Sequence, residues 1–288
     1  MNENTELNII NWFPGHMAKA KRELIEKVKL VDLVIELRDA RIPYSSSNPM
    51  LKDIIGNKPK LIILCKAKMA DRKDLDKFLL DAKNNNEYAL DVDLVDNYNL
   101  NKIKNYISLA SKDLLLRRKS KGIINKEIRI MVLGIPNVGK STFINKLTKK
   151  NSLNVGNRPG ITKSTNVWIK LTNEYLLLDT PGILWPKIED TNVGYKLALC
   201  GTIKDEILPI DSLTYYAVNF LKNYYPELLK NRYNLEELKT TEEIINDIAK
   251  NRGCLRKGGE IDYTKCYKLI LQDVKNAKIG AISYDKWS

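Results

Sequence analysis

The stretch from Gly134 to Ser141 carries the most specific chemistry in the sequence. It is GIPNVGKS and fits the pattern G-x-x-x-x-G-K-[ST] at every fixed position. In such a loop, glycines let successive backbone N–H groups and the start of the next helix converge on phosphate oxygens. Lys140 reaches the terminal phosphates, and the Ser141 hydroxyl can ligate Mg²⁺. We therefore predict a nucleoside triphosphate site whose nucleotide-binding residues include Pro136, Asn137, Val138, Gly139, Lys140, Ser141 and Thr142.

Two later motifs could complete the site. The first is Arg158-Pro159-Gly160-Ile161-Thr162, a turn whose threonine could close over Mg²⁺ and the γ-phosphate. The second, Asp179-Thr180-Pro181-Gly182, follows about forty residues after the loop, a spacing that makes a common turn specific. Here Asp179 can hold the Mg²⁺ shell, and Gly182 can offer its N–H group to the γ-phosphate. Lys140 and Thr162 are thus candidate catalytic residues, and a surface turn is the alternative interpretation of Thr162.

The elements that must position these residues alternate between strands and helices. Strands are predicted at residues 31–37, 60–65, 88–92, 128–133, 165–171 and 174–178, and helices at 71–83, 101–118 and from 142 to 150. Residues 11–30 are predicted to begin with an aromatic Pro-Gly turn and to continue as an amphipathic basic helix. This alternation predicts an α/β fold with a mostly parallel sheet flanked by helices. Three strands precede the phosphate loop, which in an ordinary domain of this kind follows the first strand.

From about residue 189 onward the pattern becomes helical. Helices are predicted at residues 191–200, 212–224, 240–251 and 262–275, joined by turns that contain Pro226, Gly253, Gly258 and Gly259. We therefore divide the chain into a nucleotide-binding domain at residues 1–187 and a small all-helical domain at residues 188–288. Lys250, Arg252, Arg256 and Lys257 near these turns could meet RNA phosphates, or could form a solvated charged turn.

Composition places the chain among globular proteins. Its 288 residues are 43% apolar and 29% charged. No basic stretch followed by an apolar run opens the sequence, and no run of 18 apolar residues occurs, so we expect a cytoplasmic protein that does not enter a membrane. Four cysteines without a C-x-x-C pair, together with a single histidine, argue against a zinc site. We expect a monomer.

The basic excess lies on the nucleotide-binding half of the chain. Residues 121–187 carry 11 basic and 3 acidic side chains, whereas residues 188–288 carry equal numbers of each. A dense cluster just before the loop's strand makes RNA contact a hypothesis, with a lysine-rich solvated surface as the alternative. The cluster consists of Lys112, Arg117, Arg118, Lys119, Lys121, Lys126 and Arg129.

Six stretches occur in an order that is specific to one family. They are Trp12-Phe13-Pro14-Gly15-His16-Met17, Asp39-Ala40-Arg41-Ile42-Pro43, the loop from Gly134 to Ser141, Arg158-Pro159-Gly160-Ile161-Thr162, Asp179-Thr180-Pro181-Gly182-Ile183-Leu184-Trp185-Pro186, and Arg252-Gly253-Cys254-Leu255. With them the chain resembles, over essentially its whole length, the ribosome biogenesis GTPase A family, the YlqF type of circularly permuted GTPases. In that family the base-recognition motifs precede the phosphate-binding motifs, which accounts for the position of the loop.

The resemblance implies GTP hydrolysis with Mg²⁺, coupled to late assembly of the large ribosomal subunit, with GTP, GDP and ribosomal RNA as partners. It implies that Asn137 helps to hold K⁺ beside the phosphates. Many GTPases carry a glutamine after D-x-x-G to orient the attacking water, but Ile183 cannot hydrogen-bond water. The resemblance points instead to His16, the single histidine, as the catalytic residue that orients or deprotonates water.

The guanine-recognition motif, usually N-K-x-D, is degenerate in this chain. Lys66 alone survives as a predicted nucleotide contact, because Cys65 replaces the asparagine and Lys68 replaces the aspartate that accepts hydrogen bonds from guanine. Three interpretations stay open. Another acceptor such as Asp71 or Asp93 takes the guanine edge, guanine selectivity is reduced, or the protein is a weak hydrolase that acts mainly as an RNA-binding assembly scaffold. A phosphate-loop kinase is a further, less favoured class.

Overall fold

A parallel sheet organises the computed structural model, which describes residues 10–11, 14–95, 100–123, 127–148, 168–178, 187–188, 190–203 and 207–286. Within these residues the main sheet has six strands in the order β4-β3-β2-β5-β7-β6. Its strands are β2 (Leu33–Asp39), β3 (Lys60–Cys65), β4 (Tyr88–Asp91), β5 (Ile128–Gly134), β6 (Trp168–Lys170) and β7 (Tyr175–Leu178). Only the edge pairing of β6 with β7 is antiparallel among these strands, so the predicted mostly parallel α/β fold is confirmed.

Helices cover both faces of the sheet. They are α1 (Pro14–Lys29), α2 (Met50–Ile55), α3 (Arg72–Asn84), α4 (Leu100–Ser120) and α5 (Lys140–Thr148). Helices α4 and α5 pack on the face that carries the alternate residues Leu33, Ile35 and Leu37 of β2. Helices α1 and α2 pack on the opposite face around Val34. Strands β2, β3 and β5 are therefore long apolar runs, as expected for parallel strands buried on both faces.

The C-terminal part of the described chain is helical, as predicted. A two-residue strand, β8 (Lys187–Ile188), pairs with β1 (Ile10–Asn11) and precedes α6 (Thr191–Leu199). There follow α7 (Ile210–Tyr224), α8 (Pro226–Tyr233), α9 (Thr241–Asn251) and α10 (Tyr263–Lys275). Buried residues of these helices belong to the same apolar cluster as one face of the sheet. The boundary between residues 187 and 188 stays a proposal.

Three local predictions are wrong. Pro226 does not lie in a turn but begins α8, where a proline is tolerated because the first helical N–H group has no partner within the helix. Strand β2 spans Leu33–Asp39, so it begins and ends two residues later than the strand predicted at 31–37. Helix α2 is absent from the predicted elements, because its six residues are too few to show a helical period.

Candidate nucleotide site

The phosphate loop lies at the switch point of the sheet. Strands β2 and β5 are parallel neighbours, and the chain passes from β2 toward β3 but from β5 toward β7 on the other side. Connections that diverge in this way open a crevice at the carboxyl ends of the two strands, where ligands of open α/β sheets bind. The loop spans the end of β5 at Gly134 and the start of α5 at Lys140.

Backbone conformation explains the residue types of the loop. Asn137 has φ of 59° and Gly139 has φ of 107°, in the left-handed region that glycine and asparagine tolerate best. A Cβ atom at Gly134 would lie 2.9 Å from the backbone oxygen of Leu37, so only glycine fits beside β2. Ile135 and Val138 are buried and anchor the loop. The loop thus has the curled form that phosphate binding requires.

The polar end of the loop faces outward at the start of α5. Ser141 and Thr142 are exposed, and Lys140 is partly buried. An exposed hydroxyl suits Mg²⁺, which keeps several waters and shares its remaining positions between protein oxygens and substrate phosphates, whereas the helix N–H groups suit the phosphates themselves. In the part of the chain that the structure describes, no cluster of three His, Cys, Asp or Glu side chains could hold a metal by itself. Ser141 is exposed at the start of α5, where the prediction places one of the Mg²⁺ ligands.

Asn137 joins the phosphate loop to the helical region. Its Nδ2 atom donates to the backbone oxygen of Gly201, at 2.8 Å, in the turn after α6. This bond assigns the amide nitrogen and leaves the Oδ1 atom as the acceptor of the side chain. A cation ligand needs an oxygen, so the orientation is compatible with the predicted K⁺ role.

A buried ionic network lies at the carboxyl ends of β2 and β3. Arg41 donates from Nε to Asp39 Oδ1 at 2.9 Å and from Nη2 to Asp39 Oδ2 at 2.8 Å. Lys66 Nζ donates to the same Oδ2 atom, at 2.9 Å. Although burial alone would raise the pKa of the Asp39 carboxyl, the charges and hydrogen bonds of Arg41 and Lys66 lower it to about 2. Lys66, predicted to contact nucleotide, is therefore held in place by Asp39.

The network continues into the helical region, which sequence reasoning missed. Arg41 donates to the backbone oxygens of Cys200 and Lys275, at 3.1 and 3.3 Å. The chain after α10 also returns to the sheet, since the Ile282 and Tyr284 N–H groups donate to the oxygens of Met69 and Arg41. Asp39 and Arg41 are 1% and 2% exposed. Their spacing in Asp39-Ala40-Arg41 marked them as part of a motif but gave no sign of burial.

The degenerate base-recognition segment forms a turn beside the loop that follows β4. Cys65 ends β3 and is buried, and burial raises the pKa of its thiol to about 12. Lys66 adopts a left-handed conformation with φ of 61°, and a short 3₁₀ turn follows at Ala67–Met69. The Ala67 N–H group donates to Val92 O, and the Lys68 N–H group donates to Asp93 Oδ2 at 3.4 Å.

The two candidate replacement acceptors lie in different places. Asp71 caps α3, where its carboxylate accepts from the Lys73 N–H group, and its own N–H group donates to Ser283 Oγ. It therefore faces the C-terminal segment. Asp93 lies in the loop after β4, next to Leu94, whose Cδ1 atom is 3.5 Å from the point that a Cβ of Gly139 would occupy. Asp93 thus lies between the base-recognition turn and the phosphate loop.

Several predicted site residues lie outside the described residues. Thr162, Asp179, Gly182 and Ile183 are among them. His16 lies within α1, but its side chain is outside the described part. Their roles stay predictions.

The basic cluster before β5 separates into internal and surface cations. Arg118 pairs with Asp32 at 2.6 Å, and the guanidinium of Arg129 lies 5.2 Å from the ring centre of Trp168. Both therefore have structural contacts, and Lys126 lies outside the described residues. The remaining four members are exposed on the last turns of α4 and just beyond it: Lys112, Arg117, Lys119 and Lys121.

Comparison with known proteins agrees with this geometry. The family model described as "50S ribosome-binding GTPase" matches residues 129–246. Ribosome biogenesis GTPase A of Priestia megaterium is 48% identical over 282 residues, which are 96% of each chain, and that of Bacillus cereus is 46% identical over 96% of this chain and 94% of its own. The probable ribosome biogenesis GTPase A of Mycoplasma genitalium is 37% identical over 96% of each chain.

Solved structures give the same assignment. GDP-bound YlqF superposes with a TM-score of 0.65 at 27% identity, covering 92% of this chain and 99% of its own. GNP-bound YlqF from T. maritima gives 0.61 at 28% identity, with 93% and 98% covered. The predicted family resemblance and the permuted fold are confirmed. The chain belongs to the ribosome biogenesis GTPase A family of GTP hydrolases, whose role is in ribosome assembly.

Proposed function

We propose that the protein hydrolyses GTP with Mg²⁺ and K⁺ during late assembly of the large ribosomal subunit. The observation that carries this proposal is the phosphate loop, with left-handed Asn137 and Gly139, at the switch point between β2 and β5. The large subunit is supported by the matching family model, which is described as a 50S ribosome-binding GTPase. The protein acts in the cytoplasm as a monomer. No helix in the described ranges is long and apolar enough to cross a bilayer.

Ser141, Asp179 and Thr162 are the residues that would hold Mg²⁺ beside the nucleotide phosphates. When bound, the ion would supply positive charge against the phosphates during transfer. Lys140 supplies a further positive charge at the terminal phosphates. In this arrangement the Oδ1 atom of Asn137 is available to K⁺, because its Nδ2 atom is engaged by Gly201 O.

The water-orienting residue is His16, as the family resemblance implies. The experiment that tests the enzymatic proposal is GTP turnover in K⁺ and in Na⁺, with and without large ribosomal subunits. We expect turnover that requires K⁺, rises with subunits and is lost in His16→Ala while nucleotide binding persists. Asn137→Ala should remove the difference between K⁺ and Na⁺. A turnover rate that is the same in K⁺ and Na⁺ and is unchanged in His16→Ala would contradict the proposed mechanism.

The exposed cations at the end of α4 form one contact to ribosomal RNA. Lys112, Arg117 and Lys119 lie exposed near the end of this helix, and such charges add affinity by releasing counterions from phosphates. Replacing all three by alanine should weaken binding to large subunits and reduce the slope of log Kobs against log salt by about 2 to 3. A matched triple change on α3, of Lys73, Lys77 and Lys83, should leave the slope as it is. Equal slopes for the two triple variants would exclude this surface.

A second candidate function is an assembly scaffold that binds nucleotide, hydrolyses it weakly and has reduced selectivity for guanine. The observation that favours it is that Cys65 and Lys68 stand where the base-recognition motif usually has asparagine and aspartate. A scaffold would bind large subunits equally in the presence of a hydrolysable and of a non-hydrolysable triphosphate, and it would dissociate from the subunit with neither nucleotide. The enzyme should instead dissociate when turnover is allowed. Release of the subunit in a pelleting assay therefore separates the two functions.

A further inference from the structure

We infer that Asp93 is the residue that selects guanine in this chain, replacing the carboxylate that Lys68 has displaced. The inference rests on the proposed GTP site and assigns its base-recognition chemistry to another loop. The N–H groups at N1 and N2 of guanine are hydrogen-bond donors and require an acceptor. Lys68 carries only donors, whereas an ionised carboxylate carries only acceptors.

The position of Asp93 fits this role. Its Oδ2 atom lies 3.4 Å from the backbone nitrogen of Lys68, so the carboxylate stands beside the very position from which the family aspartate is missing. The neighbouring Leu94 reaches the phosphate loop at Gly139, which places the loop after β4 along the nucleotide crevice.

Asp93 has acceptor capacity left for a base. Its Oδ1 atom accepts from the Val95 N–H group at 3.1 Å, and its Oδ2 atom accepts from the Lys68 N–H group. A carboxylate offers about four lone-pair sites, so about two can still accept from the N1 and N2 donors of guanine. The two backbone donors also fix the direction of the carboxylate, which lowers the entropy lost when a base binds.

Asp71 does not meet these conditions. Its carboxylate caps α3 and its backbone faces Ser283 in the C-terminal segment. It lies beyond the end of the 3₁₀ turn that is opposite to Lys66. Asp71 therefore serves as the matched control for Asp93, because both are partly buried aspartates that accept from backbone N–H groups close to the same turn.

The test is competitive binding of GTP, ITP, XTP and ATP to the full chain with a fluorescent nucleotide. The wild-type protein should prefer GTP, and Asp93→Asn should weaken GTP by about tenfold to a hundredfold, as expected for loss of a charged acceptor. Asp93→Asn should also gain affinity for XTP, because an amide can donate to the 2-carbonyl oxygen that xanthine carries in place of the 2-amino group. A merely structural defect would not create that gain. Asp71→Asn should leave the base preference unchanged.

A second variant tests whether a loss of GTP preference comes from distortion of the loop after β4. Asp93→Asn combined with Lys68→Asp should recover GTP preference, because the acceptor returns to its usual position. If the wild-type protein binds GTP and Asp93→Asn has the same preference for GTP, the assignment of Asp93 is wrong and the proposed function stands. A wild-type preference for XTP would also overturn it, since Lys68 would then face the base. Failure of the wild-type protein to bind any triphosphate would overturn the proposed function itself.

Discussion

Replacing Arg41 by methionine should lower the free energy of unfolding by about 3–5 kcal/mol, the range for breaking a buried ion pair by removing one partner. Methionine fills much of the same volume, so the loss is one of charge and hydrogen bonds. Asp39, which is 1% exposed, would retain Lys66 as its remaining cationic contact in this network. The backbone oxygens of Cys200 and Lys275 would also lose their guanidinium donor.

The pKa of Asp39 gives an independent magnitude, of the same order, for the free energy that the network contributes. Its fall from the ordinary 3.8 to about 2 corresponds to about 2 kcal/mol of preference for the ionised form in the folded state. That figure already includes the opposing cost of burial, which the attraction of the two cations must exceed. Arg41 supplies the larger of the two attractions, so its removal while burial persists should cost on the order of 2 kcal/mol. Loss of the bonds from Arg41 to the Cys200 and Lys275 oxygens adds to the penalty.

The assay is urea unfolding at pH 7, followed by tryptophan fluorescence. Arg72→Met is the matched control, because Arg72 is 61% exposed and pairs with Asp76, which is 55% exposed, and with Asp91, which is 17% exposed. Such a pair should contribute about 1 kcal/mol or less. The double variant Asp39→Asn with Arg41→Met should be more stable than Arg41→Met alone, since the buried charge is gone. A loss below about 1 kcal/mol for Arg41→Met would refute the network's role in stability.

Three further outcomes follow from local geometry. Because the pKa of Asp39 is depressed, its contribution to the free energy of unfolding should be complete above about pH 4 and should disappear as the pH falls toward 2. Acid unfolding measured by circular dichroism should therefore show a pH-dependent loss of about 2 kcal/mol in the wild type that Asp39→Asn lacks. Gly134→Ala should cost about 1–3 kcal/mol in urea unfolding, because its Cβ would lie 2.9 Å from Leu37 O; a neutral change would contradict the close packing of β5 on β2. Thr240→Ala should cost about 0.5–2 kcal/mol in thermal unfolding, since Thr240 and Glu243 cap α9 reciprocally, and Glu242→Ala on the same turn should cost less.

Long apolar segments were predictable from sequence because their structure depends on local pattern. Strand β3 occupies the predicted residues 60–65, and α4 extends the predicted helix by one residue at its start and two at its end. The phosphate loop was predictable because its residue types follow from its backbone conformation. Glycine is required where the loop approaches β2, and the two positions with positive φ carry the types that tolerate it best, asparagine and glycine.

The surroundings of Asp39 and Arg41 could not be predicted in the same way. The residues that bury them, including Cys200 and Lys275, are distant in sequence, and no local pattern records such contacts. A polar run of Asp and Arg ordinarily indicates an exposed turn. The same limit applied to the replacement acceptor, since Asp71 and Asp93 are equivalent as residue types. Only the fold distinguishes the aspartate that caps a helix from the one beside Lys68.

Two adjacent residues after α6 connect both ends of the nucleotide site to the helical region. Cys200 O accepts from Arg41, which holds Asp39 and through it Lys66 on the base side. Gly201 O accepts from Asn137 on the phosphate side. A partner that displaced this turn would therefore alter the base and phosphate contacts together. By thermodynamic linkage, a nucleotide that favours one position of the turn would change the affinity for that partner by the same factor. Arg41→Met should accordingly weaken the dependence of ribosomal-subunit binding on the bound nucleotide, beyond its effect on stability.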